Sequence, residues 1–188
     1  DLQLEFLPFK RAFEYVVAKR LDGLFNLYKI DDRLSLFDYS APIITNELVL
    51  FVQSSSQLKY ESIDDLAGLK IGAMRGYTYG DEFDKNSFFL KEVSSSHEAI
   101  FKKLVRGRID AYPCDKLVGL YVTDRLELRS VLKILPNPLK ILEGHIGFAK
   151  GRHQKTIHKI NKVIIEMKES GEIDEMLKNI ERQYELKE

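Results

Sequence analysis

A single cysteine, Cys114, stands among 188 residues, so no internal disulfide can hold this chain together. Net charge is lacking as well: 29 Lys+Arg are balanced by 29 Asp+Glu, which removes the electrostatic footprint of a general nucleic-acid binder. The four histidines, His97, His145, His153 and His158, are scattered without metal-ligand spacing and read as surface or internally satisfied side chains. No apolar run approaches the roughly 20 residues of a membrane-spanning helix. The opening DLQLEFLPF is no basic-then-apolar leader; it reads as the edge of a strand. There is no low-complexity tract and no solenoid period. What remains is 44% hydrophobic and 31% charged content in 21.8 kDa, enough for one large domain or two small lobes with cores of their own.

The pattern along the chain alternates strands with helices. Leu2, Leu4 and Phe6 alternate with polar residues up to Pro8, predicting a short strand over 2–7. Ala12, Phe13, Val16 and Val17 fall at helical spacing, with Lys19 and Arg20 suited to the helix end. LDGLFNLY (21–28) and ELVLFV (47–52) read as strands, with a stop at Asp38-Tyr39-Ser40-Ala41-Pro42 between them. Ser62 with Asp65 three positions on marks a helix start closed by Gly68. LKIGA (69–73) is a strand, and Arg75-Gly76-Tyr77-Thr78 a strand-to-helix turn. Val93 is a short strand candidate. Ser95 or Ser96 caps a helix carrying Ala99, Ile100, Leu104 and Val105. IDAYP (109–113) is a strand, and Asp115 opens a helix running through Tyr121. Further strands fall at 131–135 and 145–150, and the tail from Ile157 to Ile180 is helical with a break at Gly171. This order predicts an α/β fold with mainly parallel sheets. A helix-to-strand corner, Leu21-Asp22-Gly23, recurs as Ile109-Asp110-Ala111, pointing to two similarly built halves.

These corners and their neighbours resemble the bacterial extracellular (periplasmic) solute-binding proteins of the polar amino-acid class, components of ABC importers. The stretches that carry the resemblance are LDGLFNLYKIDDRLSLFDYSAP, SIDDLAGLKIGAMRGYTYG, LVRGRIDAYPCDKLVGLY, GHIGFAKGR and IHKINKVIIEMKESGEIDEMLKNIERQY, in the family's order. Pro8-Phe9-Lys10-Arg11 resembles a Pro-aromatic-x-Arg subgroup. The resemblance implies a two-lobed type II fold with two hinge crossings and a ligand in the cleft between lobes. Lobe one would comprise 1–47 plus 146–188, and lobe two 48–145.

It also implies site residues. Arg33 would grip a ligand carboxylate, for which a guanidinium is geometrically suited; read from its neighbours alone, it could instead pair with Asp31 or Asp32 at the surface. Thr78 would contact the ligand at the start of a helix, or serve as an N-cap. Asp115 would accept an α-ammonium group, or again cap a helix. Phe9 would form an aromatic wall, or sit in a core. Arg75 and Tyr77 flank the same turn as Thr78; Tyr77 replaces the family's common threonine. Asn26 and Tyr28 lie on the strand leading to Arg33, where the interval from Asp22 is one residue shorter than the family's common pattern. Tyr121 matches a family aromatic and is assigned to the core, as is Cys114.

The expected function is binding of a small amino-acid-like solute for delivery to ABC transporter membrane subunits, in the periplasm or another extracytoplasmic space, with no cofactor, metal or nucleic acid. Two alternatives use the same fold: a sensory or regulatory domain of a larger protein, and a small-molecule dehydratase, which would need a general acid that no motif here marks. The match begins at the family's second strand. The first strand and helix of lobe one are therefore expected to be missing, with truncation or strand exchange in a dimer as ways to account for it.

Overall fold

The computed structural model describes residues 2–185. In chain order the first elements are α1 (Phe9–Val17), β1 (Gly23–Tyr28), β2 (Phe37–Tyr39), β3 (Ile44–Gln53), β4 (Lys70–Met74), α2 (Asp81–Asp84) and β5 (Leu90–Ser94). Then follow α3 (His97–Val105), β6 (Tyr112–Asp115), α4 (Lys116–Arg125), β7 (Leu132–Ile134), β8 (Lys140–Ala149), α5 (Gln154–Glu169) and α6 (Glu172–Glu185). Two 3-10 turns, Asp31–Arg33 and Ile63–Leu66, complete the set. The chain divides into two compact units. The first combines the residues up to Thr45 with Leu142–Asn179; the second is Asn46–Ile141 with the segment from Ile180.

In the first unit, Pro8 pre-sets the entry to α1: with φ −55 its carbonyl accepts from the N–H groups of Arg11 (2.9 Å) and Ala12 (3.1 Å). The helix turns Ala12 and Val16 inward. Val16 meets Leu27, Phe37 and Ala149, with Phe9, Phe13, Leu21, Leu24 and Tyr39 packed around them. β1 and β2 both pair antiparallel with β8. A register shift interrupts the β1–β8 ladder between Leu24 and Leu27, where Asn26 takes a left-handed φ of 55, the signature of a bulge. Ile146, Phe148 and Ile157 form a second apolar cluster.

In the second unit β3 pairs antiparallel with both β6 and β7, and β4 pairs parallel with β5. The core gathers Phe51, Ile100, Phe101, Leu104, Tyr112, Cys114 and Val122 beneath α3 and α4. Ser62 and Asp65 form a capping box on the 3-10 turn, and Ser96 Oγ accepts from Ala99 N–H at the start of α3.

Five expectations change. Residues 2–7 form no strand; Leu2, Leu4 and Phe6 are 75%, 63% and 95% exposed. Alternation supplies a face, but a strand also needs a neighbour for its backbone groups. The sheets are not mainly parallel: β1 and β2 run against β8, and β6 and β7 run against β3, whereas β4–β5 and the bridge Ile71–Ala111 are parallel. Asp38 and Tyr39 are a strand rather than a stop, and the strand expected at 109–113 sits at Tyr112–Asp115. Tyr121 is no core residue: it is 49% exposed and carries the Arg125 guanidinium over its ring at 5.7 Å.

Candidate functional site

The eight expected site residues divide evenly: Phe9, Asn26, Tyr28 and Arg33 belong to the first unit, Arg75, Tyr77, Thr78 and Asp115 to the second. In the first unit Arg33 is the central group. It closes the 3-10 turn Asp31–Arg33 and is buried, with 7% exposure. Its guanidinium carbon lies 5.6 Å from the Phe9 ring centroid and 5.5 Å from that of Phe13. Those rings stand one turn apart on α1, their centroids separated by 6.2 Å. Arg33 Nη1 also donates to the Tyr28 carbonyl at 3.3 Å. A planar, weakly hydrated cation is thereby held between aromatic faces and a carbonyl, and a guanidinium fixed this way suits a carboxylate. Phe9 is thus brought to Arg33, and Tyr28 enters through its backbone oxygen. Asn26, exposed on the bulge, is placed by its backbone conformation. The sequence missed Phe13, although its i+4 spacing from Phe9 was there to be read.

In the second unit the β4 ladder ends with Arg75 N–H donating to the Ser94 carbonyl at 2.8 Å; the Arg75 side chain is exposed. Gly76, at φ 80, turns the chain. The Thr78 hydroxyl donates to the Asp84 carboxylate, which also accepts from Tyr79 N–H at 3.1 Å. Gly80 N–H donates back to Thr78 Oγ1 at 3.3 Å. The turn is therefore tied to α2 by Asp84, a residue no motif singled out. Thr78 does not cap α2, whose N-cap is Gly80.

Asp115 closes β6 and caps α4, its Oδ1 accepting from Val118 N–H at 3.0 Å. Burial raises its pKa, and the nearby Glu47 charge pushes the same way. A carboxylate disfavoured in its ionised form gains from a cation placed beside it. Tyr77 stands at the turn with 38% exposure. Its ring meets His97 edge-on, centroids 5.7 Å apart at 76°, and its hydroxyl lies 3.5 Å from His97 Nε2. His97, read from sequence as an unremarkable histidine, is a half-buried neighbour of Tyr77 within the second unit. Among the described residues no group of His, Cys, Asp and Glu could hold a metal ion.

The family model for bacterial extracellular solute-binding proteins, family 3, matches residues 1–181. The chain belongs to this family. Among curated members, the L-cystine-binding protein TcyJ of Escherichia coli (strain K12) is 24% identical over 156 residues, covering 82% of this chain and 58% of TcyJ. The chain thus spans somewhat over half the length of the curated relatives it matches. Among solved structures, holo ArgBP from T. maritima superposes with a TM-score of 0.78 at 21% identity, over 89% of this chain and 73% of that one. The amino acid ABC transporter substrate-binding protein AbpA from Streptococcus pneumoniae Canada MDR_19A, bound to L-arginine, gives 0.81 at 23%, over 96% and 76%. At that level of identity the likeness establishes the fold: that of type II periplasmic binding proteins. The comparisons give no support to a strand-exchanged dimer.

Proposed function

We propose that this family 3 chain binds a small amino-acid-like solute outside the cytoplasm and hands it, chemically unchanged, to the membrane subunits of an ABC importer. The observation that carries the reading is the buried Arg33 guanidinium, held on the faces of Phe9 and Phe13. Such a group is oriented in advance for a carboxylate. Asp115 supplies the complementary chemistry for an ammonium group, and an α-amino acid carries both. Relatives named for binding L-cystine and L-arginine support the same class.

The test is a thermal-shift screen of the chain against the standard L-amino acids, L-cystine, polyamines and organic acids. A cognate amino acid at about 100 times its Kd stabilises the folded state by about 2.7 kcal/mol, or about 5–10 °C for a chain of this size. Arg33→Ala abolishes the shift. Recovering the solute unaltered after prolonged incubation separates binding from turnover. If no amino acid shifts the transition, or Arg33→Ala and Asp115→Ala both bind as tightly as the parent chain, the reading fails.

A further inference from the structure

Thr78 carries one hydroxyl proton, and it is already placed. The hydroxyl donates to the Asp84 carboxylate, while its oxygen accepts from Gly80 N–H at 3.3 Å. A hydroxyl is a single donor, so this one has no proton left for the carboxylate of a solute. Asp84 also takes the Tyr79 N–H at 3.1 Å, and both bonds end on the same oxygen, Oδ2. The Asp84 backbone N–H donates to the Gly80 carbonyl at 2.8 Å. One residue of α2 thereby engages Thr78, Tyr79 and Gly80 in succession.

The turn needs such a hold. Gly76 opens it at φ 80, and Gly80 ends it at φ 98, ψ 155, in a region of backbone space that glycine alone visits readily. With torsional freedom at both ends, the residues between must be fixed by contacts from outside. α2 is a firm post for them. Its Phe83, 2% exposed, packs between the Tyr79 and Phe89 rings, with centroids 4.8 and 4.9 Å away. From β5 the Lys91 ammonium donates to the carbonyls of Asp84 at 2.7 Å and Asn86 at 2.9 Å. β5 pairs with β4, the strand from which the turn departs. The path from the turn through α2 and Lys91 therefore closes on the turn's own origin.

We propose that Asp84 is a positioning residue for solute binding: it takes the Thr78 proton and fixes the Thr78–Gly80 turn before the solute arrives. Thr78 then serves through its bond to Asp84 rather than by donating to the solute. This assignment rests on the solute-binding reading and refines it. Holding the turn in advance spares the solute the cost of ordering it.

The test has two arms. In the ligand-free chain, amide hydrogen exchange followed by NMR is expected to be slow at Tyr79 in the parent chain and in Thr78→Val. Asp84→Ala speeds it at least ten-fold, and Asp84→Asn restores it, since one oxygen serves both bonds. In the second arm, calorimetry with L-arginine and L-glutamine follows a double-mutant cycle. Asp84→Ala lowers affinity about ten-fold, the scale of one residue's backbone freedom, and Asp84→Asn recovers most of it. Thr78→Val weakens binding several-fold in the parent chain but less than two-fold when added to Asp84→Ala. Tyr79 exchange indifferent to Asp84→Ala, or Asp84→Ala binding as tightly as the parent chain, overturns the proposal. So does an undiminished effect of Thr78→Val in the Asp84→Ala background, which would make the hydroxyl a solute contact in its own right. Binding of neither solute to the parent chain, with the exchange pattern as expected, counts against the solute-binding reading and upholds the grip of Asp84 on the turn.

Discussion

At the scale of single residues, His97 couples the surroundings of Tyr77 to stability. Burial lowers its folded pKa to about 4 from the ordinary 6.5. Between those values the unfolded chain binds a proton that the folded chain refuses, so stability falls as pH drops from about 6.5 to about 4 and is fully present above that window. The 2.5-unit span is worth at most about 3 kcal/mol. Urea titrations across pH 4–8 check this: the stability gap between the parent chain and His97→Gln narrows or reverses toward pH 4. A constant gap would mean that His97 titrates normally when folded. Arg33 was legible in the sequence because the residues on both sides of it carried the family pattern. His97 was not, since its partners Tyr77 and Tyr112 lie 20 and 15 positions away and meet it only once a turn, a helix and a strand are assembled. No local spacing encodes such a meeting.

At the scale of elements, α4 carries two separable duties on one residue. Asp115 caps its first turn through Val118 N–H and offers the carboxylate proposed to meet an ammonium group. Asp115→Ser retains an N-cap acceptor and removes the charge. It is expected to leave the urea midpoint nearly unchanged while abolishing the solute-induced thermal shift. Asp115→Ala loses both, with destabilisation of about 1 kcal/mol. Equal solute shifts in the parent chain and Asp115→Ser would assign the residue to capping alone. Further along α4, a Cβ on Gly119 would stand 2.3 Å from two atoms of the Phe51 ring. The helix approaches β3 that closely because nothing projects there. Gly119→Ala is expected to cost about 1–3 kcal/mol, read from the same denaturation curves; a neutral result would show that Phe51 can move aside. Helices and strands were placed well by periodicity and caps, since those signals lie within a few residues of one another. Strand direction was misjudged, because alternation of apolar residues says which face is buried and nothing about which way the neighbouring strand runs. The opening segment shows the same limit: Leu2, Leu4 and Phe6 carry the period of a strand without a ladder to join.

At the scale of the whole molecule, the first unit is assembled from two separated stretches, ending at Thr45 and resuming at Leu142, whereas nearly all of the second lies between them. Synthesis from the N-terminus therefore delivers the two cores on different schedules. The residues of the second core, from Val49 through Leu132, have all been made before β8 exists to pair with β1 and β2. Ribosome-bound chains halted just after Asn46–Ile141 has emerged are expected to resist protease over that span while the residues before Thr45 are still cleaved. Simultaneous protection of both, only in longer chains, would show instead that the cores form together. The early stretch, with the paired phenylalanines of α1 and the arginine they later cover, must wait as nascent chain until the residues from Leu142 onward have been made, which makes it the natural client of whatever chaperone meets this protein at the tunnel exit.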